Sequence, residues 1–199
     1  YGTAPTSPRQ EDAPAGDDFL AQLCVHWESA SQPLQSRGTR CLQLRLGPVL
    51  TLESGLLIPA YWITLLSANF RLDDGLQSLP WIAPIDVVGA IYHLIQHPHC
   101  QGPVNLVAPH DSSLGELTAC LSQQLGWRPQ VTLPERRIRQ LLGSRAELLP
   151  GRARVSSQRL QDWGYRFFHE NLKDYLLEAL GQFPPYRQPC DWHFQLDTR

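Results

Sequence analysis

The strongest constraint on this sequence is an alternation of extended and helical hydrophobic patterns through its middle. Residues 39–46 alternate apolar and polar side chains and stop at Gly47-Pro48, which is typical of a strand that ends in a turn. Residues 103–108 form a second short apolar run, typical of a buried strand. The sequence therefore predicts two strands that are far apart along the chain.

Helical patterns follow each predicted strand. Residues 80–85 predict a short extended piece, and Asp86 is then placed to cap a helix that Pro98 stops. Ser113-x-x-Glu116 has the spacing of a capping box before a helix that runs through Leu125. Strands that alternate with helices favour crossover connections and a largely parallel sheet. We therefore predict an α/β fold.

The outer parts of the chain are predicted to be mainly helical. Asp17 or Asp18 caps a first helix that runs to about Ser31 and is stopped by Pro33, and residues 50–72 predict a loop and a helix. Toward the C-terminus, helices are predicted at 136–142 and 172–180, whereas 184–199 has no assignment. No strand is predicted in the last third, since Val131 stands isolated between two prolines.

Composition excludes several classes of function. The formal net charge is −2, with 17 Lys+Arg against 19 Asp+Glu, so no basic field attracts nucleic acid or an anionic membrane. No apolar run approaches the roughly 18 to 20 residues that span a bilayer. The five cysteines are scattered without C-x-x-C spacing, which favours a reducing compartment. We expect a protein of the cytoplasm, or alternatively of a plastid or other organelle stroma, without nucleic-acid or membrane partners.

Short motifs then occur in the order seen in one known family. Those near the N-terminus are Tyr1-Gly2, residues 16–21 (Gly-Asp-Asp-Phe-Leu-Ala), Cys24 and Trp27-Glu28. Those in the middle are residues 38–40, Leu44-Arg45, Gly47, Trp81-Ile82, Asp86, Gly89, 102–105 and 108–109. Those near the C-terminus are residues 141–143, 146–149, 159–160 and 164–167. In this order they resemble the atypical extended short-chain dehydrogenase/reductases, which are NAD-dependent epimerase/dehydratase-like proteins.

The resemblance implies a Rossmann-type NAD(P)-binding parallel sheet of which this chain is the C-terminal portion. Tyr1-Gly2 is similar to the end of the family's fifth strand, so we expect the chain to begin midway through the fold. Residues 1–110 would form the Rossmann-like portion with a substrate loop at 48–80, and 111–183 a small, mainly helical substrate lobe. The glycine-rich turn that binds the cofactor pyrophosphate does not occur in these 199 residues, so NADP or NAD is implied by the resemblance alone.

Two groups of residues are predicted at the carboxyl ends of the strands, where open α/β sheets bind ligands. The predicted cofactor-binding residues are Tyr1, Gly47, Pro48 and Val49. The predicted substrate-binding residues, for a small nucleotide-sugar-like molecule, are Arg45, Trp81 and Asn105. For Trp81, packing in the core or at its rim is the alternative interpretation.

The residues that exchange protons in active members of the family are replaced here. In those enzymes a Tyr and a Lys four residues later move the proton during hydride transfer. The Tyr position holds Phe19 or Leu20 and the Lys position Leu23 or Cys24, depending on the register. Catalytic residues are therefore left unassigned, and Cys24 is interpreted as a small buried hydrophobe rather than a nucleophile.

Two further clusters have simple structural interpretations. His93, His97, His99 and Cys100 are close in sequence, but no second ligand pair with zinc spacing accompanies them, and histidines favour the end of a helix. Residues 110–113 contain His, Asp and Ser without a nucleophile elbow, so helix capping explains the serines. We predict no metal site and no serine triad.

Two functions stay open at this level. The resemblance implies an NAD(P)-dependent epimerase- or reductase-like protein that acts on a nucleotide sugar, and it allows a homodimer. The alternative is a non-catalytic relative that senses a ligand or binds a partner, for example in division regulation, and the replaced Tyr and Lys positions favour it. The sequence does not decide whether the protein is an enzyme.

Overall fold

The computed structural model describes residues 1, 8–67, 69–124, 130–134 and 152–181. Within these ranges the helices are α1 (Phe19–Ser29), α2 (Gln32–Gln35), α3 (Leu57–Ser67), α4 (Pro84–Gln96), α5 (Leu114–Gln124), α6 (Gln158–Asp162) and α7 (Leu172–Gly181). The strands are β1 (Leu42–Leu46), β2 (Asn69–Leu72), β3 (Gly102–Leu106) and β4 (Gln130–Leu133). The helix predicted at 136–142 and the tail at 184–199 lie outside the described residues.

The two predicted strands pair in parallel. Leu42 of β1 lies opposite Gly102 of β3, and the register continues to Leu46 opposite Leu106. α3 and α4 lie between them along the chain, so the connection is a crossover, as parallel pairing requires. The predicted α/β fold with a parallel sheet is confirmed.

A short extended segment widens this sheet at its carboxyl end. Val49 forms a parallel bridge with Ile82, and the Ile82 amide donates to the Pro48 carbonyl at 3.1 Å. On the other side of the segment, the Ala108 amide donates to the Trp81 carbonyl at 2.7 Å. Residues 81–82 therefore lie between the continuations of β1 and β3.

A second parallel pair was not predicted. β2 pairs with β4 from Asn69 opposite Gln130 to Leu72 opposite Leu133. The prediction that no strand follows residue 125 is therefore wrong. Strands of four residues are too short to display an alternating pattern, and each finds its partner only in the folded chain.

Local capping signals place the helix ends well. The Asp18 carboxylate accepts from the Ala21 amide at 2.8 Å and starts α1. Ser113 and Glu116 form the reciprocal capping box of α5, with backbone-to-side-chain distances of 3.0 and 3.1 Å. Pro33 lies in the first turn of α2, where its missing N–H costs nothing, so it helps to start a second helix beyond α1.

One predicted cap is wrong. α4 begins at Pro84 with Ala83 at the N-cap position, and no side chain caps it. Proline is favoured at the first helical position because its φ is already set. Asp86 therefore lies inside the first turn, and its side chain is free to bond elsewhere.

Two apolar cores stabilise the fold. The first joins α3, α5 and α7 to the sheet and includes Leu50, Leu57, Trp81, Leu117, Leu121 and Leu176. The second lies between β3, α4 and α6 and includes Ile82, Ala90, Leu94, Val104, Leu106 and Leu160. Because the first core contains residues from both sides of position 110, the division of the chain at that position stays a prediction.

The buried Asp86 carboxylate ties α4 to the segment that precedes α7. Its oxygens accept from the Tyr165 hydroxyl at 2.9 Å, the Phe168 amide at 2.8 Å and the His169 amide at 3.0 Å. Gly89, one turn later on α4, lets the Tyr165 ring approach, because a Cβ there would lie 2.7 Å from the hydroxyl.

In the described ranges, no helix combines the length and apolarity that crossing a bilayer would demand.

Candidate functional site

Three predicted site residues meet at the carboxyl ends of β1 and β3. Arg45 and Asn105 lie directly opposite each other in the parallel register. The Tyr1 hydroxyl lies between them: it accepts from Arg45 Nη1 at 2.7 Å and donates to Asn105 Oδ1 at 2.7 Å. We call these three residues, together with Glu11 and Glu28, the strand-end cluster.

Glu28 fixes the arginine and attaches α1 to β1. Arg45 Nε donates to Glu28 Oε1 at 2.6 Å, and Arg45 Nη2 donates to Oε2 at 2.8 Å. A two-bond pairing of this kind holds both planar groups in one orientation. The bonds to Glu28 also raise the pKa of Arg45 above its usual range, so the guanidinium stays charged.

Glu11 contributes a nearly buried carboxylate, with only 4% of the residue exposed. Its Oε1 accepts from the backbone N–H of Asn105 at 2.9 Å, and its Oε2 lies 3.6 Å from Arg159 Nε. Its backbone carbonyl accepts from Arg45 Nη1 at 2.9 Å. Sequence reasoning missed Glu11, because it lies in a proline-rich loop without local signal.

The phenol of Tyr1 in the strand-end cluster keeps its proton at neutral pH. Burial raises the pKa of Tyr1, and the hydrogen bond and charge of Arg45 oppose that rise only in part. The side-chain amide of Asn105 already has hydrogen-bond partners on both atoms, since Oδ1 accepts from Tyr1 and Nδ2 donates to the Ser156 carbonyl at 3.0 Å. Tyr1 is therefore a fixed hydrogen-bond donor at neutral pH and not a ready base.

The predicted cofactor residues Gly47, Pro48 and Val49 follow the cluster directly. Gly47 passes so close to Pro80 that a Cβ would lie 1.7 Å from the Pro80 carbonyl oxygen. The Gly47 amide also donates to the Leu106 carbonyl at 3.1 Å. Pro48 is exposed at this edge, so it presents a surface beside the cluster.

Trp81 lies in the core. It has no exposed surface, its ring stacks on Tyr175 at 5.2 Å, and its Nε1 donates to Ser112 Oγ at 3.2 Å. These contacts fit the core-packing interpretation. Its role in substrate binding stays a prediction.

The positions that replace the family's Tyr and Lys lie on one exposed side of α1. Phe19, Leu20, Leu23 and Cys24 are all exposed. The prediction that Cys24 is buried is wrong, because Cys24 is exposed on this side of α1. None of the four side chains can exchange a proton as the missing pair does.

The histidines at the end of α4 hold structural positions. The His93 and His97 rings stack with centroids 4.0 Å apart, and a His93 ring nitrogen lies 3.0 Å from the Trp163 carbonyl oxygen. Across the described residues, no group of three or more His, Cys, Asp or Glu side chains is arranged to hold a metal ion. Ser113 caps α5, as the sequence indicates.

Comparison with known proteins gives consistent matches. The chain is 33% identical over 183 residues to an epimerase family protein of Mycobacterium bovis, a match that covers 91% of this chain and 59% of the relative. It matches the human epimerase family protein SDR39U1, solved with NADPH, with a TM-score of 0.80 and 29% identity over 92% of this chain and 62% of the other.

The chain is similar to this epimerase family over most of its length.

A nucleoside-diphosphate sugar epimerase from Corynebacterium glutamicum shares the fold, with a TM-score of 0.70 and 24% identity over 88% of this chain and 34% of the other. No protein-family model matches the chain. The chain spans about three fifths of the length of the Mycobacterium bovis relative and of the human protein. The match confirms the family suggested by the ordered motifs.

Proposed function

We propose that the chain provides a substrate lobe and one wall of the cofactor site in an NAD(P)-dependent epimerase- or reductase-like protein. Its substrate would be a nucleotide sugar or a similar small molecule. The observation that carries this proposal is the strand-end cluster: Arg45, Asn105 and Tyr1 converge at the carboxyl ends of parallel strands, where open α/β sheets bind ligands. The human relative solved with NADPH supports the choice of cofactor.

The donor set of the cluster fits a wall of the cofactor site better than a phosphate cradle. Arg45 is committed to Glu28, Tyr1 and the Glu11 carbonyl, and Arg159 to Glu11 and the Pro103 carbonyl. Neither arginine is free for a pyrophosphate. NADP or NAD, when bound, would supply hydride chemistry; this chain would orient it through Pro48 and the fixed phenol of Tyr1.

A second function is favoured by the replaced proton-exchanging positions. Phe19 or Leu20 and Leu23 or Cys24 carry no titratable group except a thiol. A protein with this arrangement that binds a nucleotide without turning it over would be a ligand-sensing or partner-binding relative. It would keep the fold and the cluster but lose the chemistry.

The test uses the natural full-length protein. If NADPH binds, its fluorescence rises in the complex and the melting temperature of the protein increases. NADPH at a hundred times its Kd should stabilise the folded protein by about 2.7 kcal/mol. An absence of both effects, with NADH also inactive, would overturn the proposed cofactor. Binding without turnover of any nucleotide sugar, assayed by product chromatography, would favour the sensing function.

The cellular location belongs to the same proposal. We infer a cytoplasmic protein, with a plastid or other organelle stroma as the alternative, and a homodimer as one possible assembly. Fractionation of the native cells with an antibody, and sedimentation of the purified protein, test these points separately.

A further inference from the structure

The outward side of α4 is apolar along most of its length. Four exposed residues lie side by side there at helical spacing, and we call them the α4 stripe: Ile85, Val88, Tyr92 and Ile95. Tyr92 and Ile95 are the most exposed, at 64% and 63%. Contiguous exposed apolar surface of this kind marks an interaction site.

The stripe carries no charge at neutral pH. The residues of α4 that can be charged there are Asp86 and His93, and neither belongs to the stripe. Asp86 is fully buried, and a His93 ring nitrogen lies against the Trp163 carbonyl oxygen. A surface helix normally presents polar side chains to water, whereas α4 presents a neutral apolar side.

α4 cannot turn the stripe inward, because the helix is fixed near both ends. Asp86, in its first turn, accepts from the Tyr165 hydroxyl. Near its C-terminal end, Arg40 Nη1 donates to the Leu94 carbonyl at 2.9 Å. Asp86, Ala90 and Leu94 follow one another at four-residue spacing and are all buried, so they define the inward side. The stripe is therefore held outward.

The order of side chains in the stripe is symmetric about Ala90. Val88 and Tyr92 lie two residues before and after Ala90, and Ile85 and Ile95 lie five residues before and after it. Ala90 is on the buried side, so the line opposite it is the centre of the stripe. A two-fold axis through that line would place two copies of α4 antiparallel, with Val88 against Tyr92 and Ile85 against Ile95.

We propose that the α4 stripe is the surface through which two copies of this protein form an antiparallel, two-fold dimer. The inference rests on the homodimer of the proposed function and not on cofactor binding. Three features of the stripe fit a second copy. Val88 is small enough to leave room for the Tyr92 ring of the other copy, and tyrosine is favoured at the core of interfaces. Two uncharged surfaces do not repel each other, and antiparallel helices bring opposite ends of their dipoles together.

The outer edge of β3 is closed to a second copy. The Gly102 amide faces β1, so residues 103 and 105 face outward. The backbone N–H of Asn105 donates to Glu11 Oε1, and the Pro103 carbonyl accepts from Arg159 Nη1 at 3.0 Å. Pro103 has no N–H to offer. A second copy would have to break the Glu11–Arg159 ion pair to extend the sheet here, whereas docking at the α4 stripe displaces no described contact.

The dimer should be weak. Four side chains from each copy make an interface near or below the lower end of the standard size range, which is typical of transient assemblies. Dimerisation should therefore depend on protein concentration within the range that sedimentation equilibrium can follow.

The first experiment measures the dimer dissociation constant of the natural full-length protein by sedimentation equilibrium without nucleotide. Val88→Glu should raise this constant at least about tenfold, because a carboxylate would lose its water against the Tyr92 ring of the other copy. Leu34→Glu is the matched control: Leu34 is half-exposed on α2, outside the stripe, and its replacement should leave the constant unchanged. Circular dichroism checks that both variants are folded.

The second experiment tests the antiparallel register. Val88→Cys and Tyr92→Cys proteins are mixed, oxidised in air with copper phenanthroline, and examined by peptide mass spectrometry. The mixture should form a disulfide that joins position 88 of one variant to position 92 of the other. Each variant alone should give little of this product, since like positions lie about 6 Å apart along the antiparallel helices.

Three outcomes would overturn the inference. They are a full-length protein that sediments as a monomer at every concentration, a dimer that Val88→Glu leaves intact, and disulfides that join like positions instead of 88 to 92. NADPH binding is measured separately by fluorescence. A dimer that binds no NADPH would leave the α4 contact standing and remove the proposed cofactor, and a monomer that binds NADPH would do the reverse.

Discussion

The Asp86 carboxylate, which has no exposed surface, accepts a 2.9 Å hydrogen bond from the hydroxyl of Tyr165, 79 residues later in the chain. The same carboxylate accepts the Phe168 and His169 amides, so one side chain of α4 orders the turn that leads into α7. A buried charge is tolerated only when hydrogen bonds replace its water, and here three do so.

Asp86→Asn should destabilise the protein by about 2–3 kcal/mol, because an amide offers one acceptor oxygen where the carboxylate offers two, and its NH₂ would face a donor. Urea unfolding followed by circular dichroism measures the change. Asp162→Asn is the matched control: its exposed carboxylate accepts from Gln158, and its loss should cost less than about 0.5 kcal/mol. Equal effects at the two positions would contradict the role given to Asp86.

Gly47→Ala should destabilise the protein by about 3 kcal/mol or more. The new methyl group would overlap the Pro80 carbonyl oxygen, which is a backbone atom and cannot move aside as a flexible side chain could. Thermal unfolding measures the loss. Gly181→Ala is the matched control, since nothing lies within 4 Å of its added Cβ. A Gly47→Ala protein as stable as the Gly181→Ala protein would show that the crossing at Pro80 is not tight.

Tyr175 should make the protein lose stability in alkali. Burial, and then the charge of Glu178, raise the pKa of Tyr175 to about 12. An unfolded tyrosine ionises near its ordinary pKa of about 10, so between pH 10 and 12 the unfolded chain has released a proton that the folded protein keeps. The unfolded state therefore binds fewer protons, and the free energy of unfolding falls as the pH rises through this window.

Tyr175→Phe should flatten that fall, while at pH 8 it should cost about 1 kcal/mol for the hydrogen bond that Tyr175 donates to the Leu50 carbonyl. Urea unfolding at pH 8 and pH 11 separates the two effects. Tyr92→Phe, at an exposed position, is the control and should change neither value. An unchanged alkaline slope in Tyr175→Phe would contradict the assignment.

Gln77→Met should stabilise the protein by about 1–2 kcal/mol. Gln77 is 2% exposed, and neither Oε1 nor Nε2 of its side chain has a hydrogen-bond partner in the described structure. Replacing a buried, unpaired amide by an apolar side chain of similar length removes a desolvation cost. Calorimetric melting measures the gain; a loss of stability would mean that the Gln77 amide is hydrogen-bonded, for example through water.

The sequence predicted those parts of the fold that are specified locally. Asp18 and the Ser113–Glu116 capping box mark helix ends because the capping side chain lies within three residues of the amide that it bonds. β2 and β4 were missed because each gains its identity from a partner far along the chain. Asp86 was misread as a cap for the same reason: its hydrogen-bond donors come from Tyr165 and the two amides beyond it.

The candidate site shows the same division. Arg45 and Asn105 were predicted from their places near the ends of strands, and the parallel register brings them together. Glu11 reaches them from a loop without pattern, so no spacing in the sequence points to it. The exposure of α1 was missed because an apolar stripe predicts burial, whatever part of a fold provides the cover.

The parallel pairing of β1 with β3 also has a kinetic consequence. Leu42 meets Gly102 only after the whole of α3 and α4 has been accommodated between them. Closing so long a loop costs entropy before any strand contact repays it, which slows folding relative to a helical protein of similar size. During synthesis, β1 must wait for residues 102–106 to leave the ribosome. Pulsed hydrogen exchange should accordingly find the amides of Leu44 and Val104 protected later than those of α5.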